Sequence, residues 1–264
     1  MSAAFPLVTS PEYKAHLPYL SHSRVNRYLL CPEQYRLYYI EGLRPRISSA
    51  SLEFGHCIHH ALAGLFQSEK DPISLFLETW DTLKDVPLQY SRQETWDKLR
   101  ERGQMLLSKF VLEEHWRISC VEASERPFEL EVSSLETPLV GIIDLVARVE
   151  GVVSVVDFKT SGSAYQDHES ALSDQLTAYQ IAVPHAKQCV FCVFVKTKEP
   201  RIEWHYSTRI GRDLMDYLTK VGLVGRQIAA GQFYKRPGKW CAQCDFLPVC
   251  LGDRKRVEET LTTV

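Results

Sequence analysis

The sequence has no run of about eighteen apolar residues, so no membrane-spanning helix is expected. Its first residues, Met1 to Pro11, lack the basic start and apolar stretch of a secretory signal, which points to a cytoplasmic setting. No internal repeat and no low-complexity segment occur, so neither a solenoid nor a compositionally disordered chain is indicated. Charge of one sign is not in excess either: 31 Lys and Arg face 33 Asp and Glu, for a net charge of −2. That balance neither supports nor excludes a nucleic-acid partner, because local basic patches can flank an acidic metal site.

What is present is a chain able to bury a core. Its 264 residues are 45% hydrophobic, enough for one large domain or one domain with an elaborated insertion. Eight cysteines in a reducing compartment more often serve as metal ligands or small buried residues than as disulfides.

Ser21 is a plausible N-cap for a helix carrying Tyr28, Leu29, Tyr35, Tyr39 and Ile40, with Gly42 and Pro45 marking its end. Cys31-Pro32 allows instead a turn between two shorter helices. Helical patterning resumes over 52–66 and continues in pieces to about residue 111, with no glycine-rich linker. After Cys120 the pattern turns to strands: 128–132, 139–149, 152–160, 188–196 and 202–208. Helices are expected over 174–183 and 212–230. The organisation expected is an N-terminal extension (1–20), a single domain (21–253) and a C-terminal tail (254–264). Within the domain a helical layer (21–120) precedes an α/β core (121–230) and a loop-rich segment (231–253).

The chemistry centres on one hairpin. A two-residue turn at Glu150-Gly151 pairs Val149 with Val152 and carries Asp144 opposite Asp157. Lys159, two residues further, projects from the same face as Asp157. A bulge would displace this register by one residue. Two carboxylates facing each other in an apolar sheet repel and lose hydration, and Ile142, Ile143, Val155, Val156 and Phe158 offer no compensation. Mg²⁺ or Mn²⁺, which prefer hard oxygen ligands, would. A lysine beside such an ion can orient water or stabilise charge on a phosphate. The bland alternative is an Asp–Lys ion pair at a sheet edge with the second aspartate exposed.

The order strand, Asp144, turn, Asp157-Phe158-Lys159 resembles the PD-(D/E)XK nuclease core in its RecB-like branch, although Ile143 stands where the superfamily's name has proline. Phe54-Gly55-His56-Cys57-Ile58-His59-His60 resembles the family's helix motif, a glycine followed four residues later by a metal-binding histidine, which selects His59. Gln175-Leu-Thr-Ala-Tyr179 resembles its Gln-x-x-x-Tyr motif, with both side chains on one helical face. The resemblance implies an α/β restriction-endonuclease-like core with a mixed central sheet and metal-dependent hydrolysis of DNA. Its metal ligands would be His59, Asp144, Asp157 and the Phe158 carbonyl. Lys159 would act on water or phosphate, with Gln175 and Tyr179 in support.

Cys241-Ala-Gln-Cys244 and Cys250 need a fourth ligand for a four-coordinate centre. Cys31 is the fourth by the resemblance, which extends to the iron–sulfur nucleases: the AddB nuclease domain, the CRISPR-associated adaptation exonucleases and related eukaryotic single-strand exonucleases. It implies a structural 4Fe–4S cluster; four thiolates suit Zn²⁺ equally well. Cys189 and Cys192, three apart in a strand, point to opposite faces and are read as packing residues, as are Cys57 and Cys120.

Arg24, Arg27, Arg36, Arg44 and Arg46 interleave with Tyr28, Tyr35, Tyr38 and Tyr39, while Lys235, Arg236 and Lys239 flank Phe233, Tyr234 and Trp240. Such clusters can track phosphates and stack bases, with Arg24, Arg27, Tyr28, Lys235 and Arg236 as candidate DNA contacts. Solvated helix faces with inward tyrosines are the plain alternative. The expectation is a nuclease acting on DNA, single-stranded or with a free end, in CRISPR adaptation or recombination and alongside other proteins of those pathways. The competing expectation is a non-catalytic DNA-binding or scaffold protein of the same fold.

Overall fold

The computed structural model describes residues 19–92, 94–132 and 135–264, so most of the expected N-terminal extension, including Met1 to Pro11, lies outside the described residues. The chain opens with helices α1 (His22–Leu30) and α2 (Pro32–Tyr39) and short strands β1 (Leu43–Pro45) and β2 (Ser48–Ser49). Helices α3 (Ala50–Ser68) and α4 (Pro72–Asp81), strand β3 (Leu88–Gln89) and helix α5 (Trp96–Lys109) follow. Strands β4 (Ile118–Leu130), β5 (Leu139–Val149) and β6 (Val152–Ser161) then lead to helices α6 (Asp167–Ala171) and α7 (Asp174–Ala182). The chain finishes with β7 (Gln188–Val195), β8 (Arg201–Ser207), α8 (Gly211–Ala229), α9 (Leu247–Leu251), α10 (Arg254–Thr260) and β9 (Leu261–Thr263). No helix among the described residues is long and apolar enough to cross a membrane.

These elements form two compact units interleaved in sequence. The larger comprises Ile47–Phe128 and Ile142–Leu214; the smaller combines the described residues up to Arg46 with Glu129–Gly141 and Met215–Val264.

The central sheet has the order β4-β5-β6-β7-β8 and is mixed, with β6 and β7 parallel and β7 and β8 antiparallel. The β5–β6 turn forms at Glu150-Gly151, where φ is 50° and 84°. Two positive φ values are the signature of the turn that matches strand twist in two-residue hairpins. The register runs as expected from Val149↔Val152 to Leu145↔Val156. At Asp144 the alternation breaks: Ile143 and Val146 pack on one face of the sheet, Leu145 and Ala147 on the other. Strand β7 is buried along nearly its whole length because both faces are covered. Cys192 packs on the α3–α5 side with Phe54, Cys57 and Phe110, whereas Cys189 packs on the α7 side with Leu176 and Tyr179. The parity argument for these two cysteines therefore holds.

Strand β4 starts ten residues before the expected 128, at Ile118. Cys120 and Glu125 both take left-handed φ, at 46° and 50°, which interrupts the period-two pattern that would reveal the strand. The reading of Cys120 as a packing residue is corrected here: it is exposed, near the start of β4 where residues 119–122 all face solvent.

In the smaller unit Ser21 caps α1, its Oγ accepting the Arg24 N–H at 3.3 Å. Cys31 is extended (φ −161°, ψ 112°) and Pro32 opens α2, so the two-helix alternative is the observed one. Residues 254–264 are not merely a tail. Asp253 caps α10 through the Arg256 N–H, and β9 pairs antiparallel with β1, Leu43 opposite Thr263. Leu37, Phe246 and Leu261 form a small core there.

Candidate metal and phosphodiester site

Five elements of the larger unit, α3, β4, β5, β6 and α7, bring one polar cluster together. Helix α3 can lie close to β6 because Gly55 has no side chain: a Cβ there would sit 3.3 Å from Thr160 Oγ1. One turn later His59 Nδ1 stands 3.5 Å from Asp144 Oδ2. That same oxygen accepts the Phe158 backbone N–H at 2.8 Å. The carboxylate thus takes a hydrogen bond that a continued β5–β6 ladder would have given to a backbone carbonyl. Glu125, on β4, completes a trio in which ligand atoms of His59, Glu125 and Asp144 all lie within 4.8 Å of one another.

Beside the trio runs a closed circuit of side chains. Lys159 Nζ lies 2.6 Å from Asp157 Oδ2 and donates to Gln175 Oε1 at 2.7 Å. Gln175 Nε2 contacts the Tyr179 hydroxyl at 2.9 Å, and that hydroxyl donates to Asp157 Oδ1 at 3.3 Å. Asp157 is 1% exposed and Asp144 8%, so neither carboxylate is rehydrated by bulk water. Asp157 Oδ2 is buried, and the Lys159 ammonium is its close polar neighbour.

The electrostatics follow from crowded acid in a dry place. Burial raises the Asp157 pKa; Lys159 opposes this and Asp144 reinforces it. Burial also raises Glu125, with Asp144 adding to the effect. For His59 burial alone would lower the pKa, but the hydrogen bond and charge of Asp144, helped by Asp157, turn the net shift upward. Burial likewise pulls Lys159 down and Asp157 more than reverses it, so the ammonium stays charged. Burial raises the Tyr179 phenol, and the charge of Asp157 adds to it, so it remains a neutral donor. The cluster holds protons tightly where a cation would replace them.

Residues 19–251 match the PD-(D/E)XK nuclease superfamily. This chain belongs to that superfamily. No curated protein sequence matches it. Among solved structures, a candidate exonuclease from Eubacterium rectale is similar at 13% identity and TM-score 0.55, covering 92% of this chain and 93% of that one. At that identity the likeness speaks for the fold. The structure of SSO0001 (15% identity, TM-score 0.38, 87% and 95% covered) is too distant in shape to carry an argument. The same holds for LHK-Exo in complex with dAMP (7%, TM-score 0.29, 76% and 98% covered). The mixed five-stranded sheet with flanking helices is the restriction-endonuclease-like architecture of a PD-(D/E)XK nuclease.

In this nuclease the expected residues His59, Asp144, Asp157, Phe158, Lys159, Gln175 and Tyr179 all meet in one cluster. Glu125 is the member that sequence reading missed. Its signal was obscured because the strand carrying it was expected to begin three residues later.

The four cysteines singled out by spacing, Cys31, Cys241, Cys244 and Cys250, all belong to the smaller unit and are unpaired by disulfides. Their segments are tied: Glu33 N–H donates to the Tyr234 carbonyl at 3.1 Å, Lys235 Nζ to the Cys250 carbonyl at 2.9 Å, and Gln34 Nε2 to Cys244 Sγ at 3.5 Å. Burial raises the Cys250 thiol, and the neighbouring Glu33, Cys244 and Cys31 add to this.

The basic and aromatic residues of this unit also converge, largely upon each other. The Tyr35 ring stacks on Phe233 at 5.9 Å, and the Tyr28 hydroxyl, its pKa pushed up to about 12 by burial, donates to the Gln232 carbonyl at 2.6 Å. Arg24 lies 4.4 Å from each of the Tyr19 and Tyr39 rings and donates to Tyr35 at 3.1 Å. Arg27 covers Tyr38 at 3.8 Å, Arg36 is paired with Glu33 and Glu41, and Arg236 donates to the Leu29 carbonyl.

Proposed function

We propose that this PD-(D/E)XK nuclease hydrolyses DNA phosphodiester bonds with Mg²⁺ or Mn²⁺ held by His59, Asp144 and Asp157, the Phe158 carbonyl and Glu125. The observation that carries the reading is the buried Asp157–Lys159 pair beside a trio of ligand atoms within 4.8 Å of one another. Oxygen-rich sets with one imidazole suit such ions, and the residues fit one. The ion supplies Lewis acidity, lowering the pKa of water and drawing charge from the phosphate. Lys159, kept protonated by Asp157 and aimed by Gln175, donates to the developing phosphate charge or the attacking water. Tyr179 holds Asp157 and Gln175 in place, so the lysine does not swing toward solvent.

The substrate in this reading is single-stranded DNA with a free end. The arginine-rich surface of the smaller unit supports it, since guanidinium groups lying over the half-buried Tyr38 and Tyr39 rings can accept phosphates. Arg24, Arg27, Lys235 and Arg236 are the contacts proposed; the expected contact at Tyr28 is corrected, since Tyr28 and Tyr35, 2% and 1% exposed, are turned into the core where no base can stack on them. Cys31, Cys241, Cys244 and Cys250 would hold a 4Fe–4S cluster with a structural role; the raised Cys250 thiol among other sulfurs is what a bound cation would relieve.

The test is incubation of purified protein with end-labelled linear and circular single-stranded DNA and Mg²⁺ or Mn²⁺. Degradation of the linear form that disappears in Asp157→Ala and Lys159→Ala is expected. Equal activity in those variants would remove the assignment, and cleavage of circles would remove the end requirement. Iron and acid-labile sulfide in anaerobically purified protein are expected; zinc alone would replace the cluster with a zinc centre.

A further inference from the structure

The larger unit contains a second polar cluster that the reaction does not use. Lys196, one residue beyond β7, is buried against Glu94, with Nζ 2.6 Å from Glu94 Oε1 and 2.8 Å from Ser51 Oγ. Ser51 Oγ also donates to Glu94 Oε2 at 3.3 Å, and the Lys196 backbone N–H donates to the Ser161 carbonyl at 2.8 Å. The pair fastens the segment before α5 to the carboxyl ends of β6 and β7. Two residues from each partner stand Arg92 and Lys198. With Lys98, Glu101, Arg102 and Met105 they line a cavity of about 530 Å³.

Four of those six side chains are cationic and one is acidic. Among the described residues no carboxylate pairs with Arg92, Arg102 or Lys198. A concave surface that gathers unneutralised positive charge suits a polyanion. Guanidinium groups also match phosphate oxygens in pairs. The position suits the same ligand. Lys159 is in register with Val193 on the parallel pair β6–β7, and Lys198 follows on the same chain. At 3.3–3.6 Å per residue, Lys198 lies at most about 18 Å beyond that level. Open α/β sheets bind ligands outside the carboxyl ends of their parallel strands.

We propose that this cavity binds the phosphodiester backbone of a nucleic-acid strand a few nucleotides from the scissile bond. The choice of ligand rests on the nuclease reading above. Arg92, Arg102 and Lys198 contact phosphate oxygens, Glu101 opposes them, and the Lys196–Glu94 pair keeps both rims at a fixed separation.

Fluorescence anisotropy of a labelled single-stranded oligonucleotide, in EDTA and at several salt concentrations, tests this on the full chain. The variant Arg92→Ala, Arg102→Ala, Lys198→Ala is expected to lower the slope of log affinity against log salt by about 2, at about 0.7 per phosphate contact. Glu101→Gln is expected to bind more tightly than wild type. A triple variant that melts like wild type yet keeps the wild-type slope overturns the proposal. If the triple variant does not fold, Glu101→Gln decides alone, and affinity equal to or weaker than wild type overturns it. Wild-type protein that binds through the cavity but hydrolyses no DNA with Mg²⁺ or Mn²⁺ would sink the nuclease reading instead, so the two failures are distinguishable.

Discussion

Lys159 Nζ donates to Gln175 Oε1 at 2.7 Å, tying strand β6 to helix α7. The contact helps set where the ammonium points, because with Asp157 Oδ2 at 2.6 Å it holds Nζ from a second side. Gln175→Ala should therefore lower kcat by about 100-fold, the scale of loss when a reacting group is misplaced by about 1 Å. KM for DNA and affinity for Mn²⁺ should stay close to wild type. Gln175→Glu, which keeps an acceptor, should recover part of the rate; a KM effect without a kcat effect would contradict a positioning role.

Glu125 should be felt in metal affinity. Removing its charge in Glu125→Gln is expected to weaken Mn²⁺ binding by about 10- to 100-fold, the scale of losses around metal sites. Isothermal titration with Mn²⁺ measures this directly. An unchanged Kd would mean that Glu125 only shares the space.

The acidic cluster has a definite pH signature. Asp157, Glu125 and His59 all have folded-state pKa values above their ordinary 3.8, 4.5 and 6.5. The folded state therefore binds protons more tightly than the unfolded chain, and stability from this cluster falls as pH rises. Melting temperatures in EDTA should decline through the window from about 4 to somewhat above 6.5, more in wild type than in His59→Gln. Saturating Mn²⁺ should flatten the decline, because metal binding needs the deprotonated forms. A wild-type profile that rises with pH relative to His59→Gln would contradict the direction of the His59 shift.

Gly103 on α5 faces the Phe76 ring so closely that a Cβ would fall 2.0 Å from Cζ. Gly103→Ala would gain about 1 kcal/mol of helix propensity. Overpacking a rigid, fully buried ring costs about 1–3 kcal/mol, so the net effect should be destabilising. Urea unfolding should show a lower midpoint with an unchanged m-value.

The hairpin was legible because its signals are local: two apolar runs, a two-residue turn, and residue parity that places Asp157 and Lys159 on one face. Cys189 and Cys192 were separable by the same parity. Strand β4 was not fully legible, since two left-handed residues inside it erase alternation, and Glu125 was lost with it. The ends of α10 and β9 escaped for another reason. Arg254-Lys-Arg-Val-Glu-Glu-Thr260 has almost no apolar stripe, and β9 exists through pairing with β1, more than two hundred residues earlier. Cys120 was misread because exposure depends on that same irregular backbone.

The pairing of β1 with β9 has a consequence for how the chain is made. All segments of the larger unit have been synthesised once Leu214 is in place, but the smaller unit waits for strand residues at 261–263. During translation at about 5–20 residues per second, α1 and α2 therefore spend at least several seconds without their final partners. Their tyrosines and Cys31 lack those partners over that interval.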